Sequence, residues 1–340
     1  MGRTGIRRTV FTLIGLGALL LAALVAGMAF GAVPVAPGDV VAAIGRAVSG
    51  VPLTSDDSLI IDLRMPRVVL AALVGMCLAA AGVLYQALFR NALADPYILG
   101  VSSGAGLGAA LALAFLGVGA ISVVGVPAAA FVGALATIVL VATIATRRGV
   151  MDTLSLLLAG VAISYTLSAL TSFVLVVRRE QMSRIVFWMM GGLQSASWQQ
   201  AGVVGAMLAA GLVVPLLYAR ELNIMLLGDE RAGELGVDVE RFKRVILAAA
   251  SLLVSAAVSV SGLIGFVGLM TPHAARLVLG PDHRLLLPAS VLSGGIVMVL
   301  ADLVARTVLA PVELPVGIIT ALAGGPVFVW LLMRARGGAS

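Results

Sequence analysis

Several groups of residues in this 340-residue chain have types and spacings that chemistry can use. Gly100-Val-Ser-Ser-Gly104 fits the G-x-S-x-G pattern of a serine nucleophile. That pattern works when a strand turns sharply into a helix and lifts the hydroxyl toward a histidine base. Here the flanks are apolar runs that open a membrane helix, and the only histidines are His273 and His283. Ser102 and Ser103 therefore lack a placed base, and no catalytic residue is assigned. Two histidines without clustered cysteine or glutamate, and without H-E-x-x-H, make no metal site either. Nucleotide chemistry fails on one residue: the only lysine, Lys243, sits in Arg241-Phe-Lys-Arg244 with no glycine loop before it, so the chain has no P-loop of its own. Asp302 and Arg306 are spaced i,i+4 and Glu313 follows. Charges at membrane depth are costly and tend to pair. A local ion pair accounts for Asp302 but leaves Arg306 available to an acidic partner.

The elements that must position these residues are membrane helices. Of the chain, 61% is apolar and 11% charged, with 22 basic and 16 acidic residues, against about 25% charged in soluble domains. Mean hydropathy is +1.14. A soluble globular domain and a disordered chain are both excluded. Nucleic-acid binding is excluded too, because the basic residues fall singly or in pairs between apolar runs rather than in a patch. Cys77 lies within such a run and reads as a small packing residue. Runs long enough to span fall at 10–33, 68–88, 97–117, 123–146, 153–176, 200–219, 244–262, 264–280, 286–306 and 314–333. The first is longer than a signal-peptide core and reads as a retained span. The expectation is an all-α, polytopic integral membrane protein of about ten transmembrane helices, one transmembrane domain over 1–340, with both termini cytoplasmic.

Orientation follows the bias of arginine and lysine toward the inside. Arg90, Arg147 and Arg148, the 220–244 stretch, Arg284, Arg334 and Arg336 obey it, while Arg64, Arg67, Arg178, Arg179, Arg184 and Arg306 fall outside. Exceptions to a topogenic rule point to a use. The segment from Leu227 to Arg241 is too long and too charged for a plain connector. Gly228 and Gly236 bracket a turn or two of helix and Asp238 is placed to cap a second helix, so the segment reads as a cytoplasmic partner surface. Gly100, Gly104 and Gly108 form a small-residue stripe for tight helix packing, and Ser251, Ser255 and Ser259 form a second small-residue stripe. Gly160, Ser164, Ser168 and Ser172 form another, which either packs or lines a path. After it, Gly191 to Trp198, within a 183–198 short-helix region, reads as an interfacial helix at the outer mouth anchored by Trp188 and Trp198.

Five segments together resemble the FecCD-type permeases of ABC importers for iron-siderophores, haem and vitamin B12. They are Arg64-Met-Pro-Arg67; Gln86-Ala-Leu-Phe-Arg-Asn-Ala-Leu-Ala-Asp-Pro-Tyr-Ile-Leu-Gly-Val-Ser-Ser-Gly-Ala105; Leu156-Leu-Leu-Ala-Gly-Val161 with Phe187-Trp-Met-Met-Gly-Gly192; Gly262-Leu-Ile-Gly-Phe-Val-Gly-Leu-Met-Thr-Pro-His273; and Ala301-Asp-Leu-Val-Ala-Arg306 through Glu313-Leu-Pro-Val-Gly317 to Gly325-Pro-Val-Phe328. Ala92 departs from the family's Asn-Pro-Leu-Ala, which implies a less rigid turn there. The resemblance implies a second copy of the chain, two cytoplasmic ATPase subunits that hold the ATP and Mg, and a periplasmic or lipid-anchored substrate-binding protein. It implies that Arg64, Arg67 and Arg306 dock the binding protein. It also implies that Leu227, Gly228, Asp229, Glu230, Arg231, Ala232, Glu234, Leu235 and Gly236 seat in the ATPase, and that Asn91, Leu93, Asp152 and Thr153 flank a cytoplasmic constriction. The setting would be the bacterial cytoplasmic (inner) membrane. The cargo would be an iron chelate or corrinoid, with haem the alternative. An ion-coupled carrier is the rival of a different class, for which only Asp302 and Asp152 are candidate relays.

Overall fold

The computed structural model describes residues 3–31, 33–116 and 125–337, and the side chains of Arg3, Arg7, Arg8, Arg334 and Arg336 lie outside the described set. The chain opens with α1 (Arg3–Ala29), an outer helix α2 (Pro37–Val48) and the single turn α3 (Ser55–Ser58). A π-helical turn (Leu59–Arg64) then runs straight into α4 (Met65–Leu88). A 3-10 turn (Pro96–Leu99) leads to α5 (Val101–Phe115) and α6 (Gly125–Ala145). The two-residue strands β1 (Thr146–Arg147) and β2 (Val150–Met151) make a hairpin before α7 (Thr153–Val177). Next come α8 (Met182–Met189), α9 (Trp198–Leu217), α10 (Ala219–Met225), α11 (Asp229–Glu234) and α12 (Val239–Ser261). The chain closes with α13 (Val267–Leu279), α14 (His283–Thr307) and α15 (Val316–Gly337).

Each expected span coincides with a helix. Seven of the described helical stretches are long and apolar enough to cross a membrane on length and composition. Val101–Phe115 and Val316–Trp330 are shorter apolar helices, and α13 has 13 residues. Two of the short helices begin just after a residue with positive φ: Gly100 (φ 80°) precedes α5 and Phe266 (φ 68°) precedes α13, so neither helix continues back through the preceding turn.

α4 is the axis of the bundle, buried along nearly its whole length against α14, α12, α13 and α9. In lipid there is no hydrophobic drive between helices, so close approach and dispersion must hold them together. Gly75 of α4 faces Gly294 of α14, where a Cβ on either would run into the other's carbonyl oxygen. Gly82 meets the carbonyl of Gly268 on α13 in the same way. The stripe at 104 and 108 lies on Gly133 and Ala129 of α6, so it is packing, as its spacing implied. Ser251, Ser255 and Ser259 are buried in α12, and Cys77 is fully buried in α4. α1 and α7 are the opposite case, with most of their apolar surface open.

The outer short helix differs from expectation. It is α8, before Gly191, and the stretch from Gly191 to Ser197 is not helical. Gly191 has φ 73°, and Ser197 accepts from the Gln200 amide to cap α9, so one helix ends and another begins within seven residues. Trp198 is the first residue of α9 and donates to the Ile61 carbonyl at 3.1 Å.

Gly75→Leu is expected to lower stability by about 1–3 kcal/mol through overpacking against α14. Gly202→Leu, whose Cβ would meet nothing within 4 Å, is expected to be silent. Thermal unfolding of the purified protein in detergent checks both.

Candidate functional site

Three arginines meet at the end of the bundle where α1 stops and α4 begins. The last carbonyls of α1 have no partner within their helix, and guanidinium groups supply one. Arg64 donates to the carbonyls of Met28 at 2.9 Å, Ala29 at 3.4 Å and also Val33. Arg306 donates to the carbonyl of Gly27 at 2.8 Å. Arg67 donates through Nε to Asp302 at 3.0 Å and through Nη1 to both oxygens of Glu313 at 2.9 and 3.0 Å. Arg306 completes an i,i+4 ion pair with Asp302 at 3.0 Å. Three guanidinium groups face two carboxylates, leaving one net positive charge. Above them Arg64, Arg67, Arg306 and Glu313 line an open cavity of about 260 Å³.

This arrangement corrects the reading of Arg306 as an offered side chain. Only 7% of it is exposed, because a cation among apolar helices needs its acceptors close by, and Asp302 and Gly27 provide them. Arg67, at 12% exposure, and the half-buried Arg64 border the cavity.

At the other end of the bundle, Gly228 (φ 103°) and Gly236 (φ 85°) bracket the six-residue α11, as their spacing implied. Asp238 caps α12 by accepting from the Arg241 amide at 3.0 Å. Glu230, Arg231, Glu234, Leu227 and Leu235 are exposed, the two leucines by 54% and 57%, while Ala232 is buried and anchors the turn. Two uncovered leucines beside three charged side chains make a mixed surface suited to a protein partner. Asp229 reaches back into the bundle, with its carboxylate 2.7 Å from Lys243 Nζ and 3.6 Å from Arg90 Nη2.

The residues expected along the path are dispersed. Asn91 is exposed and its side-chain oxygen accepts from the Leu93 amide at 2.9 Å, so an Asx turn holds the connection even with Ala92 in place of proline. Asp152 caps α7 through the Ser155 amide at 2.8 Å and its hydroxyl at 2.6 Å, with Thr153 the first helical residue. Those two bonds hold the Asp152 carboxyl below its usual range. Asp95, in the connection after α4, has its carboxyl raised by burial, against the opposing bond from the Tyr97 amide. The stripe on α7 divides. Gly160 packs on the backbone of Ile98 and Leu99, and Ser164 bonds to the Gly160 carbonyl beside Gly100. Ser168 and Ser172 stay exposed, Ser168 within 3.2 Å of Ser103. Thus Ser103 finds a serine where a nucleophile needs a base. Among the described residues no group of three metal-ligating side chains occurs.

Sequence reasoning passed over Lys243, Glu240, Arg90 and Tyr97. Tyr97 ties the turn after α4 to the break before α13, donating to the Ile264 carbonyl at 2.9 Å and accepting from its amide at 3.2 Å. Lys243 carried a signal in being the only lysine, and Tyr97 and Arg90 lie within the Gln86–Ala105 motif segment, whereas nothing in the sequence pairs any of the four with its partner.

Comparison with known proteins decides the lineage. The model of the FecCD transport family matches residues 19–334. The chain belongs to the FecCD transport family. Among its FecCD relatives is the cobalamin import system permease protein BtuC of Halobacterium salinarum, 49% identical over 283 residues, 83% of this chain and 75% of that one. The hemin transport system permease protein HmuU of Yersinia pestis is 42% identical over 279 residues, 81% and 83% of the two chains. A solved metal-chelate type ABC transporter in an inward-facing conformation superposes with a TM-score of 0.83 at 31% identity, covering 95% of this chain and 98% of the other. A FecCD chain is a multi-pass transport permease, a kind of protein that is normally non-catalytic.

Asp302→Ala leaves the buried Arg306 without a carboxylate partner and Arg67 with Glu313 alone, and is expected to cost about 3–5 kcal/mol. Glu313→Gln, at a partly exposed position, is expected to cost no more than about 1 kcal/mol. The difference is read in thermal unfolding of the two purified variants.

Proposed function

We propose that the chain is the membrane-spanning subunit of a binding-protein-dependent ABC importer in the bacterial cytoplasmic membrane. It works as a pair of copies with two cytoplasmic ATPase subunits and a periplasmic or lipid-anchored substrate-binding protein. The cargo is an organic metal chelate of the corrinoid, haem or iron-siderophore class. The observation that carries this reading is the family match over 19–334, with a metal-chelate transporter aligned along 95% of the chain. The two charged ends are what such a role requires. The cavity at Arg64 and Arg67 offers guanidinium groups to acidic side chains of a docking protein. The exposed turn from Leu227 to Gly236 offers a short helix to a groove in the ATPase. The N- and C-termini lie on the ATPase side, together with Arg90, Arg147 and Arg148.

Mechanically, the chain makes and breaks no covalent bond. ATP, with its Mg, binds and is hydrolysed on the partner subunits, and their closure displaces α11. The bundle converts that displacement into helix tilting, opening the path between the two copies first to one side and then to the other. Ser164, Ser168 and Ser172 on the loosely packed α7 face or border that path, and the turns at Asn91–Leu93 and Asp152–Thr153 border its cytoplasmic end.

An ion-coupled carrier is disfavoured by the surroundings of its two candidate relays. Asp302 is bound between two guanidinium groups, and Asp152 is spent on a helix cap. Neither stands free to exchange a proton or cation along a path.

Arg64→Glu combined with Arg67→Glu is expected to weaken docking of the binding protein to the reconstituted complex by at least about tenfold at low salt, an effect that shrinks as salt screens it. Unchanged docking at low salt removes the arginine assignment.

A further inference from the structure

Lys243 is unlike every other cation in the chain. It is the only lysine, its side chain is 7% exposed, and it sits in the second turn of α12 where three acceptors from three segments converge. Its Nζ lies 2.7 Å from Oδ2 of Asp229, the first residue of α11. It lies 3.6 Å from Oε1 of Glu240 in its own helix, and 3.5 Å from the carbonyl oxygen of Met151 in β2. A second link closes the arrangement, because Glu240 Oε2 accepts from the Met151 amide at 2.7 Å. A third comes from the turn after α4, where Arg90, held at φ 47°, places Nη2 3.6 Å from the other Asp229 oxygen. Two cations and two anions balance. A compact ammonium with three donors suits such a convergence better than a planar guanidinium fork.

We propose that Lys243 is the positioning residue that carries displacement of the coupling turn sideways into α7 and the end of α4, rather than along the chain from α11 to α12. This rests on the reading of 227–236 as the ATPase-facing segment. α11 is six residues long, too short to hold itself, and a glycine with positive φ stands on each side of it. A Cβ at Gly236 would meet nothing within 4 Å and one at Gly228 would meet only the Arg90 side chain, so the backbone at both glycines has room to swing. The covalent route into α12 is thus the compliant one, and the Asp229–Lys243 pair is the stiff one.

Across that pair lies a stiff receiver. The hairpin turns in two residues, Arg148 and Gly149, both at positive φ (51° and 84°), the backbone geometry that matches strand twist in the tightest hairpins. Met151 stands two residues before α7, which packs along one side on α5 and α6 and leaves the other side open: Leu156, Gly160, Thr171 and Val174 are its buried residues. α4 is locked in the core along its length. A push delivered equally to both helices therefore moves α7. The helix that carries the exposed Ser168 and Ser172 is the one the lysine can tilt.

The test uses the full complex reconstituted in liposomes, with cobalamin, haemin and a ferric siderophore as cargo probes, and reads cargo imported per ATP hydrolysed. Lys243→Met and Asp229→Asn are expected to lower that ratio about fivefold or more, with the ATPase subunits still co-purifying. Lys243→Arg, which keeps the charge without the three-way reach, is expected to fall between wild type and Lys243→Met. A merely structural role would lower yield or melting temperature and leave the ratio of the surviving complexes intact. Asp229→Asn, a neutral isostere at a partly exposed position, decides the matter alone if Lys243→Met fails to assemble. A ratio unchanged in Asp229→Asn and in any assembled Lys243→Met overturns this inference and leaves the coupling segment standing. Failure of the wild-type chain to bind or respond to any ATPase subunit overturns the coupling reading, and this one with it.

Discussion

An ion moved from water into a bundle of apolar helices must find its counter-charge or its acceptors inside the protein. That constraint arranges the rest of this molecule. Asp302, 1% exposed, sits between Arg67 of α4 and Arg306 of its own helix, and Arg64 and Arg306 together close the open carbonyls of α1. Three helices from distant parts of the chain are joined there by groups that none of them could hold alone. The opposite end repeats the device with the signs rearranged, around Lys243 and Asp229. Between the two ends close packing dominates, supplemented by buried bonds such as that from Gln86 to the Leu269 carbonyl.

Packing and charge therefore divide the labour. Gly75 against Gly294 and Gly82 against Gly268 bring α4 into backbone contact with α14 and α13, which makes that part of the bundle stiff. α7 has no such contact over most of its length and leaves Tyr165, Phe173 and Leu158 uncovered. A stiff core beside a loosely held helix is a mechanical arrangement in which force applied at one end is expressed as movement of the free element.

What could be read from the sequence depended on range. Local patterns were legible: the glycine brackets around α11, the Asp238 cap, the packing stripe at Gly104 and Gly108, and the i,i+4 pair of Asp302 with Arg306 all involve residues within a turn or two of each other. The outer short helix was misplaced. The seven residues from Gly191 to Ser197, mostly small or polar, resemble a helix start, whereas the positive φ at Gly191 makes them a break, and φ is not written in composition. Arg67 with Asp302 is 235 residues apart in sequence, and Lys243 with Met151 is 92 apart. Such pairs become visible only when the fold brings them together. For the same reason Arg306, an outward-reading arginine in sequence, proved to be a mostly internal one. The family resemblance was legible over most of the chain because its motifs are the glycines, prolines and charges at these constrained places. The cargo was not, since the relatives that match along most of the chain include permeases named for cobalamin and for hemin.

The central claim, that this chain forms an ATP-driven path for a metal chelate, is tested most directly by uptake into liposomes. The vesicles would contain the chain with its ATPase subunits, with the binding protein and either cobalamin, haemin or a ferric siderophore supplied on the other side. The account predicts accumulation of one of the three that requires ATP on the ATPase side, is blocked by vanadate and is indifferent to collapse of ion gradients. Accumulation driven by a proton or sodium gradient in vesicles without any ATPase subunit would contradict it.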